Sequence, residues 1–100
     1  MKINTNKKIG AWLDSYAENH MSPKDLLTKV TAEFNEKNLP YFFASIFTED
    51  EIKTFANRLL IIKKLKDGTS QHEIASKLKV GVTTVTRGAH EISKGKFDFI

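Results

Sequence analysis

The sequence predicts an all-helical protein, on the spacing of its apolar residues and on repeated signals for helix ends. Apolar side chains recur three or four positions apart along most of the 100 residues. Ser, Thr, Asn and Gly residues interrupt this pattern at the points where helices begin and end. Only two prolines and five glycines are present, which leaves little room for the many tight turns of a β architecture.

Three helices are predicted in the first half of the chain. One covers roughly residues 8–20, and the next begins after Ser22, an N-cap followed by proline, and ends near Asn38. Pro40 opens a short third helix, through Phe47, that is apolar on nearly every side. Such a helix is normally buried all round, and 100 residues offer little core for that. This segment therefore favours a dimer.

The longest helix is predicted over residues 49–66. Thr48 and Glu51 have the spacing of a capping box, in which each residue satisfies a backbone N–H near the other. Three lysines in the last turn complement the helix dipole, and Gly68 stands at the C′ position that ends many helices.

Residues 70–92 predict a helix-turn-helix. One helix runs from Gln71 to Leu78, the turn covers residues 79–81, and the second helix begins near Val82. Gly81 is predicted to supply a positive φ in the turn, which costs glycine little. The apolar contacts between the two helices are predicted from Ile74, Ala75, Leu78, Val82 and Val85.

The charge of the chain is unevenly distributed. Its net charge is +4, with −1 on residues 1–57 and +5 on residues 58–100. A basic surface binds a polyanion because the counterions condensed on the polyanion are released. The positive excess lies in the same half of the chain as the helix-turn-helix, which favours nucleic acid as the partner. The plainer alternative is a solvated surface that keeps the protein soluble.

Several other classes of protein are not favoured. The chain has no cysteine, and its three histidines lack the spacing of a metal site. The acidic residues 49–51 are expected in the first turn of a helix, so we predict no catalytic residue and no enzymatic activity. No apolar run is long enough to cross a membrane, and the N-terminus lacks the apolar core of a signal peptide. We therefore expect a cytoplasmic protein without a membrane partner.

Four anchors between Phe47 and Gly95 together resemble the tryptophan repressor family. They are the capped acidic helix start at Thr48, the arginine ten residues later at Arg58, the S-Q-x-E-I opening at Ser70, and the run T-V-T-R-G over residues 84–88. Each anchor alone is weak, but the ordered set at these separations is specific.

The resemblance implies an all-α, intertwined helical homodimer with a helix-turn-helix DNA-binding unit. Residues 1–100 would form one domain, with dimerisation helices at 1–47, a long central helix at 48–67 and the helix-turn-helix at 70–92. The implied function is ligand-responsive transcriptional repression. L-tryptophan would act as corepressor, with no other cofactor, and the DNA partner would be a palindromic double-stranded operator.

The resemblance also implies two sets of site residues. Arg58 and Arg87 would sandwich the indole ring, since guanidinium planes stack on aromatic faces, and Gly88 would leave room for that ring. The ligand set is Ser45 and Phe47, acting through backbone carbonyls of the opposite subunit, with Thr48, Arg58, Thr84, Arg87, Gly88 and Glu91. The DNA set is Gln71, His72, Val82, Thr83, Thr84, Thr86 and Lys94. As plain surface residues, the two arginines would instead cover apolar area with their stems.

Three departures from the family pattern keep alternatives open. His72 stands where members commonly have arginine, which weakens a charged contact to guanine. Glu91 stands where a small residue faces the ligand's amino group. Its carboxylate has three interpretations: it pairs with an ammonium, it points to solvent, or it admits a different ligand. The family's terminal helix is not predicted after Ile92. The alternatives are a DNA-binding regulator with another effector or none, and a helical protein-interaction module.

Overall fold

The computed structural model describes residues 6–100, and that part of the chain forms six α-helices without a strand. The all-helical prediction is therefore confirmed for these residues. The helices are α1 (Lys7–Ala17), α2 (Pro23–Ala32), α3 (Leu39–Ile46), α4 (Glu49–Lys66), α5 (Gln71–Leu78) and α6 (Val82–Ser93).

Helix packing divides the chain into two units, Met1–Phe47 and Thr48–Ile100. In the first unit α1 packs on α2, where Leu26 is buried and the Lys29 ammonium lies 5.7 Å from the centre of the Trp12 ring. Phe34, just after α2, stacks on Phe42 of α3 with ring centres 4.6 Å apart. The sequence predicted these helices, but two of its end points were wrong.

Asparagine residues end the first two helices earlier than predicted. The first ends at Ala17, because Asn19 adopts a left-handed φ of 62° and closes the helix with the hydrogen-bond pattern of a Schellman motif. The second ends at Ala32 and not near Asn38. The side-chain oxygens of Asn35 and Asn38 accept backbone N–H groups within residues 35–38, which offers the backbone an alternative to the helix.

The second unit begins with the predicted capping box. The Thr48 hydroxyl accepts the backbone N–H of Glu51 at 3.1 Å, and the Glu51 carboxylate accepts the backbone N–H of Thr48 at 2.9 Å. Helix α4 ends as predicted, with Gly68 at a φ of 88°. Ser70 then caps α5 by accepting the Glu73 N–H. These caps fix the length of α4 and the start of α5.

The turn between α5 and α6 differs from the prediction. Lys79, and not Gly81, is the left-handed residue, with a φ of 56° at the end of α5. Gly81 has an extended backbone, with a φ of −68°, and is the N-cap of α6. The extended conformation is usual at an N-cap, so the left-handed residue that reverses the chain lies two positions earlier.

Helices α4, α5 and α6 meet in one core. Its buried members are Ile61, Ile74, Ala75 and Val85, with Leu65, Leu78 and Val80 packed against them. Val82 was predicted to join this core, which is wrong, because its side chain is 41% exposed. Helical side chains lean toward the N-terminus, so a residue in the first position of α6 extends past the contact with α5.

Gly88 lies where α6 approaches α4 closely. A Cβ atom at this position would lie 3.3 Å from Ile61 Cγ2 and 3.4 Å from Ile62 Cδ1, whereas a Cβ on Gly10 of α1 would meet nothing within 4 Å. Both glycines are inside helices, where alanine is favoured by about 0.5–1 kcal/mol. The close contact at Gly88 opposes that gain.

We therefore expect the same substitution to have different effects at the two positions. Gly10→Ala should raise the free energy of unfolding by about 0.5–1 kcal/mol, and Gly88→Ala should give a smaller gain or a loss. Urea unfolding of the two variants measures the difference. Equal stabilisation at both positions would contradict the close approach of α6 to α4.

Candidate functional site

A pocket lies in the second unit between α4, α6 and the last residues of the chain. Its volume is about 350 Å³, which is near the lower end of the sizes of small-molecule sites. The lining residues are Arg58, Ile61 and Ile62 from α4, Thr84, Arg87, Gly88 and Glu91 from α6, and Lys96 and Phe97 after α6.

Helical spacing brings these side chains to the pocket. Thr84, Arg87, Gly88 and Glu91 follow one another at intervals of three, one and three, so they share one face of α6. Ile61 and Ile62 lie three and four positions after Arg58 and form the apolar floor on α4. Five of the eight residues of the predicted ligand set thus line one cavity.

The two arginines reach the pocket without a carboxylate partner. Within residues 6–100, neither Arg58 nor Arg87 forms an ion pair. The Arg58 guanidinium lies 5.3 Å from the centre of the Phe55 ring, a cation–π contact with no carboxylate involved. Two guanidinium groups without a carboxylate partner, beside apolar side chains, suit a ligand that has both an aromatic ring and an acid group.

Glu91, the departure noted in the sequence, is paired inside the molecule. Its Oε2 lies 2.7 Å from Lys96 Nζ, and its Oε1 lies 3.5 Å from Lys94 Nζ. The ion pair with the Lys96 ammonium group lowers the pKa of Glu91 below its ordinary value of 4.5 against the opposing effect of burial, and the positive charge of Lys94 lowers it further. The carboxylate is therefore ionised at neutral pH, and its partners come from the residues that follow α6.

This pairing predicts how the stability of the fold changes at acidic pH. A lowered pKa in the folded state stabilises the fold fully above the ordinary value of 4.5, and that stabilisation is lost as the pH falls through the lowered pKa. Carbon-detected NMR titration should give Glu91 a pKa below 4.5, and Lys96→Gln should move it upward. An unchanged pKa in this variant would show that Lys96 is not the main partner of Glu91.

Three residues of the predicted ligand set do not line the pocket. Ser45 lies in α3 of the first unit, where its hydroxyl donates to the Tyr41 carbonyl, and Phe47 is the C-cap of α3. Thr48 caps α4, and its side chain is committed to the capping box. The structure of one chain thus gives these residues local structural roles.

Most of the residues predicted to face DNA lie on α5 and the first half of α6, and one lies at the other end of α6. Gln71 and Thr86 lie together, with the Thr86 hydroxyl donating to Gln71 Oε1 at 2.7 Å, and His72, Val82 and Thr83 are exposed on the first turns of α5 and α6. Thr84 also lines the pocket. Lys94 is the C-cap of α6, about 18 Å along the helix from Val82, so it does not belong to that cluster.

Sequence reasoning missed four of the residues that line the pocket. Ile61 and Ile62 follow Arg58 by about one helical turn, a signal that the apolar pattern of α4 already contained. Lys96 and Phe97 belong to an irregular segment that carries no periodicity, so only the fold shows that they reach Glu91 and the pocket.

Comparison with known protein families identifies the group to which this arrangement belongs. The family model described as Trp repressor protein matches residues 22–99, which span five of the six helices and every residue that lines the pocket. The chain belongs to the Trp repressor family. This is a family of helix-turn-helix transcription regulators that bind DNA and not a family of enzymes.

Two further findings complete the comparison. No match between this Trp repressor family member and a solved structure reaches significance. Among the helices of residues 6–100, none has the length and apolar character needed to cross a membrane.

Proposed function

We propose that this Trp repressor family member is a cytoplasmic, ligand-responsive repressor that binds a palindromic operator when L-tryptophan occupies the pocket between α4 and α6. One observation carries the proposal: Arg58 and Arg87, both without ion pairs within residues 6–100, line the same cavity from opposite helices. Guanidinium planes on two sides of an indole ring provide stacking, and one of them can also pair with the carboxylate.

The pocket suits an amino acid of this kind in charge as well as in size. Arg58, Arg87 and Lys96 supply three positive charges against the single carboxylate of Glu91. Ile61 and Ile62 provide apolar surface for a ring. An aromatic acid is favoured by this balance, and Glu91 offers a place for an ammonium group.

Helix α6 connects the pocket to the DNA surface. The same helix carries Arg87 and Gly88 on the pocket wall and Val82 and Thr83 on its exposed first turn. A ligand between α4 and α6 favours the conformer in which α6 is held away from α4. The population then shifts toward the conformer that binds DNA, with α5 and α6 as the helix-turn-helix and α6 in the major groove.

Exposed apolar side chains support the homodimer that a palindromic operator requires. No residue of α3 is buried in a single chain, although Tyr41, Phe43 and Ile46 are large and apolar. Ile52 and Leu59 of α4 are exposed in the same way. Association of two copies through these residues would cover them. It would also offer a route for the carbonyls of Ser45 and Phe47, and for Thr48, to reach a ligand.

A mobility-shift assay on a palindromic operator, selected from a random duplex library, tests the proposal. We expect L-tryptophan at millimolar concentration to strengthen operator binding at least tenfold and to have no effect on a scrambled duplex. The affinity should also fall steeply with salt, because each neutralised phosphate releases counterions. Operator binding that ignores tryptophan would refute the corepressor role, and no salt-dependent binding to any duplex would favour the protein-interaction alternative.

Glu91 supports a second candidate function, a DNA-binding regulator with an effector other than tryptophan. A carboxylate within the pocket is compatible with an effector other than tryptophan, in a regulator of the same fold. Isothermal titration separates the two candidates. Heat on addition of L-tryptophan supports the first, whereas no heat at millimolar ligand with intact operator binding supports the second.

A further inference from the structure

The segment after α6, residues 94–100, is held against α4 by defined contacts. Lys66 of α4 donates through its ammonium group to the carbonyls of Phe97 and, at 3.1 Å, of Ile100. The backbone turns at Gly95 and Phe97, both in the left-handed region with φ of 84° and 66°. This conformation is favoured for glycine and costly for phenylalanine, so the contacts of the segment must hold Phe97 in place.

The segment delivers a cation into the pocket. Lys96 lines the cavity, and its ammonium group lies 2.7 Å from Glu91 Oε2, whose side chain is 25% exposed. Phe97 lines the same cavity from the next position. An aromatic amino acid would therefore enter a pocket that already contains an ammonium group, from Lys96, and an aromatic ring, from Phe97.

We propose that Lys96 occupies the ammonium site on Glu91 in the ligand-free protein, and that an aromatic amino acid binds by taking that site and releasing Lys96 and Phe97 from the pocket. This proposal rests on the proposed function, because it concerns ligand choice in the same cavity. It makes Glu91 the residue that selects a zwitterion over an acid that lacks the ammonium group.

Charge and exposure make this exchange favourable. The Lys96 side chain is 62% exposed, and ion pairs at exposed positions are weak, so the pair opposes a ligand only modestly. The ammonium group of a bound amino acid replaces the one that leaves, and Glu91 remains neutralised. An acid without an ammonium group gains nothing by displacing Lys96, because the carboxylate would keep only the more distant Lys94, at 3.5 Å, and would lie beside the negative charge of the ligand.

Two ligands and two lysine variants test the exchange by isothermal titration. The ligands are L-tryptophan and indole-3-propionate, which is tryptophan without its ammonium group. Lys96→Gln should bind L-tryptophan about two- to fivefold more tightly than the wild type, since it removes the competing cation. It should bind indole-3-propionate more weakly. Lys77→Gln, which removes a lysine paired with Glu73 on α5, is the matched control and should change neither affinity.

A second measurement follows the released segment directly. The backbone amide resonances of Gly95 and Phe97 should shift on addition of L-tryptophan and stay near their ligand-free positions with indole-3-propionate. Glu91→Gln should reduce the preference for L-tryptophan over indole-3-propionate by at least threefold.

The outcomes distinguish this proposal from the function on which it rests. If L-tryptophan binds the wild type, and Lys96→Gln leaves the affinities for both ligands unchanged, the exchange is refuted and the corepressor role stands. If L-tryptophan binds neither the wild type nor Lys96→Gln, both proposals are refuted. Binding that appears only in Lys96→Gln supports the exchange.

Discussion

Arg87→Ala is expected to abolish the response to tryptophan and to leave the fold intact. The Arg87 side chain is exposed and forms no ion pair within residues 6–100, so its removal leaves no buried group without a partner. A charge-assisted hydrogen bond to a carboxylate contributes about 1.5–3 kcal/mol, which corresponds to a loss of affinity of roughly 10- to 100-fold. The loss of stacking on the ring adds to this effect.

The measurement combines isothermal titration of L-tryptophan with a mobility shift in its presence and absence. Arg58→Ala should cause a loss of the same order, because the two guanidinium groups line the same pocket from opposite helices. Arg87→Lys keeps the charge but loses the planar group, so we expect an intermediate affinity.

This prediction has one control and one outcome that would contradict it. Operator binding without tryptophan should be similar in wild type and Arg87→Ala, which separates a ligand contact from a phosphate contact. An Arg87→Ala protein that still responds fully to tryptophan would refute the role of this residue in the pocket.

The sequence predicted well those helix boundaries that are determined by a capping residue. Thr48 and Ser70 each accept a backbone N–H three residues later, and Gly68 ends α4 at a positive φ. These are local effects, so they are visible in a single sequence. The boundaries that were wrong depend on asparagines in two ways. Asn19 ends the first helix through its left-handed backbone, and the side chains of Asn35 and Asn38 accept backbone N–H groups after the second helix.

Tertiary packing explains the other errors. Val82 has the right spacing from Val85 for a shared face, but only the position of α5 shows that the first turn of α6 extends beyond the core. The choice between Lys79 and Gly81 for the left-handed residue depends on how α5 must end to place α6.

Part of the candidate pocket could be predicted from the sequence. Five residues of the predicted ligand set on α4 and α6, from Arg58 to Glu91, follow from the resemblance and from helical spacing, and they line one cavity in the structure. Lys96 and Phe97 could not be predicted from the resemblance or from helical spacing. They reach the pocket because Gly95 turns the chain back toward Glu91, and an irregular backbone leaves no periodic signal.

Ile74→Ala is expected to lower the stability of the second unit strongly. Ile74 is 1% exposed and lies in the core between α5, α4 and α6, with Ile61, Ala75 and Val85 as the other buried members. Truncation of a buried isoleucine costs about 2–5 kcal/mol, the sum of lost burial and of the cavity left behind. That loss is a large fraction of the stability of an ordinary domain, which is about 5–15 kcal/mol.

A matched pair on α6 separates core packing from the general effect of a smaller side chain. Val85 is 0% exposed and Val82 is 41% exposed, and both are valines in the same helix. Val85→Ala should lower the free energy of unfolding by about 2 kcal/mol, whereas Val82→Ala should change it by less than about 0.5 kcal/mol. Urea unfolding followed by circular dichroism measures both, and equal losses would contradict the position of Val82 outside the core. If Val82 also faces the operator, Val82→Ala weakens DNA binding at unchanged stability. Val85→Ala weakens it only as far as the folded fraction falls.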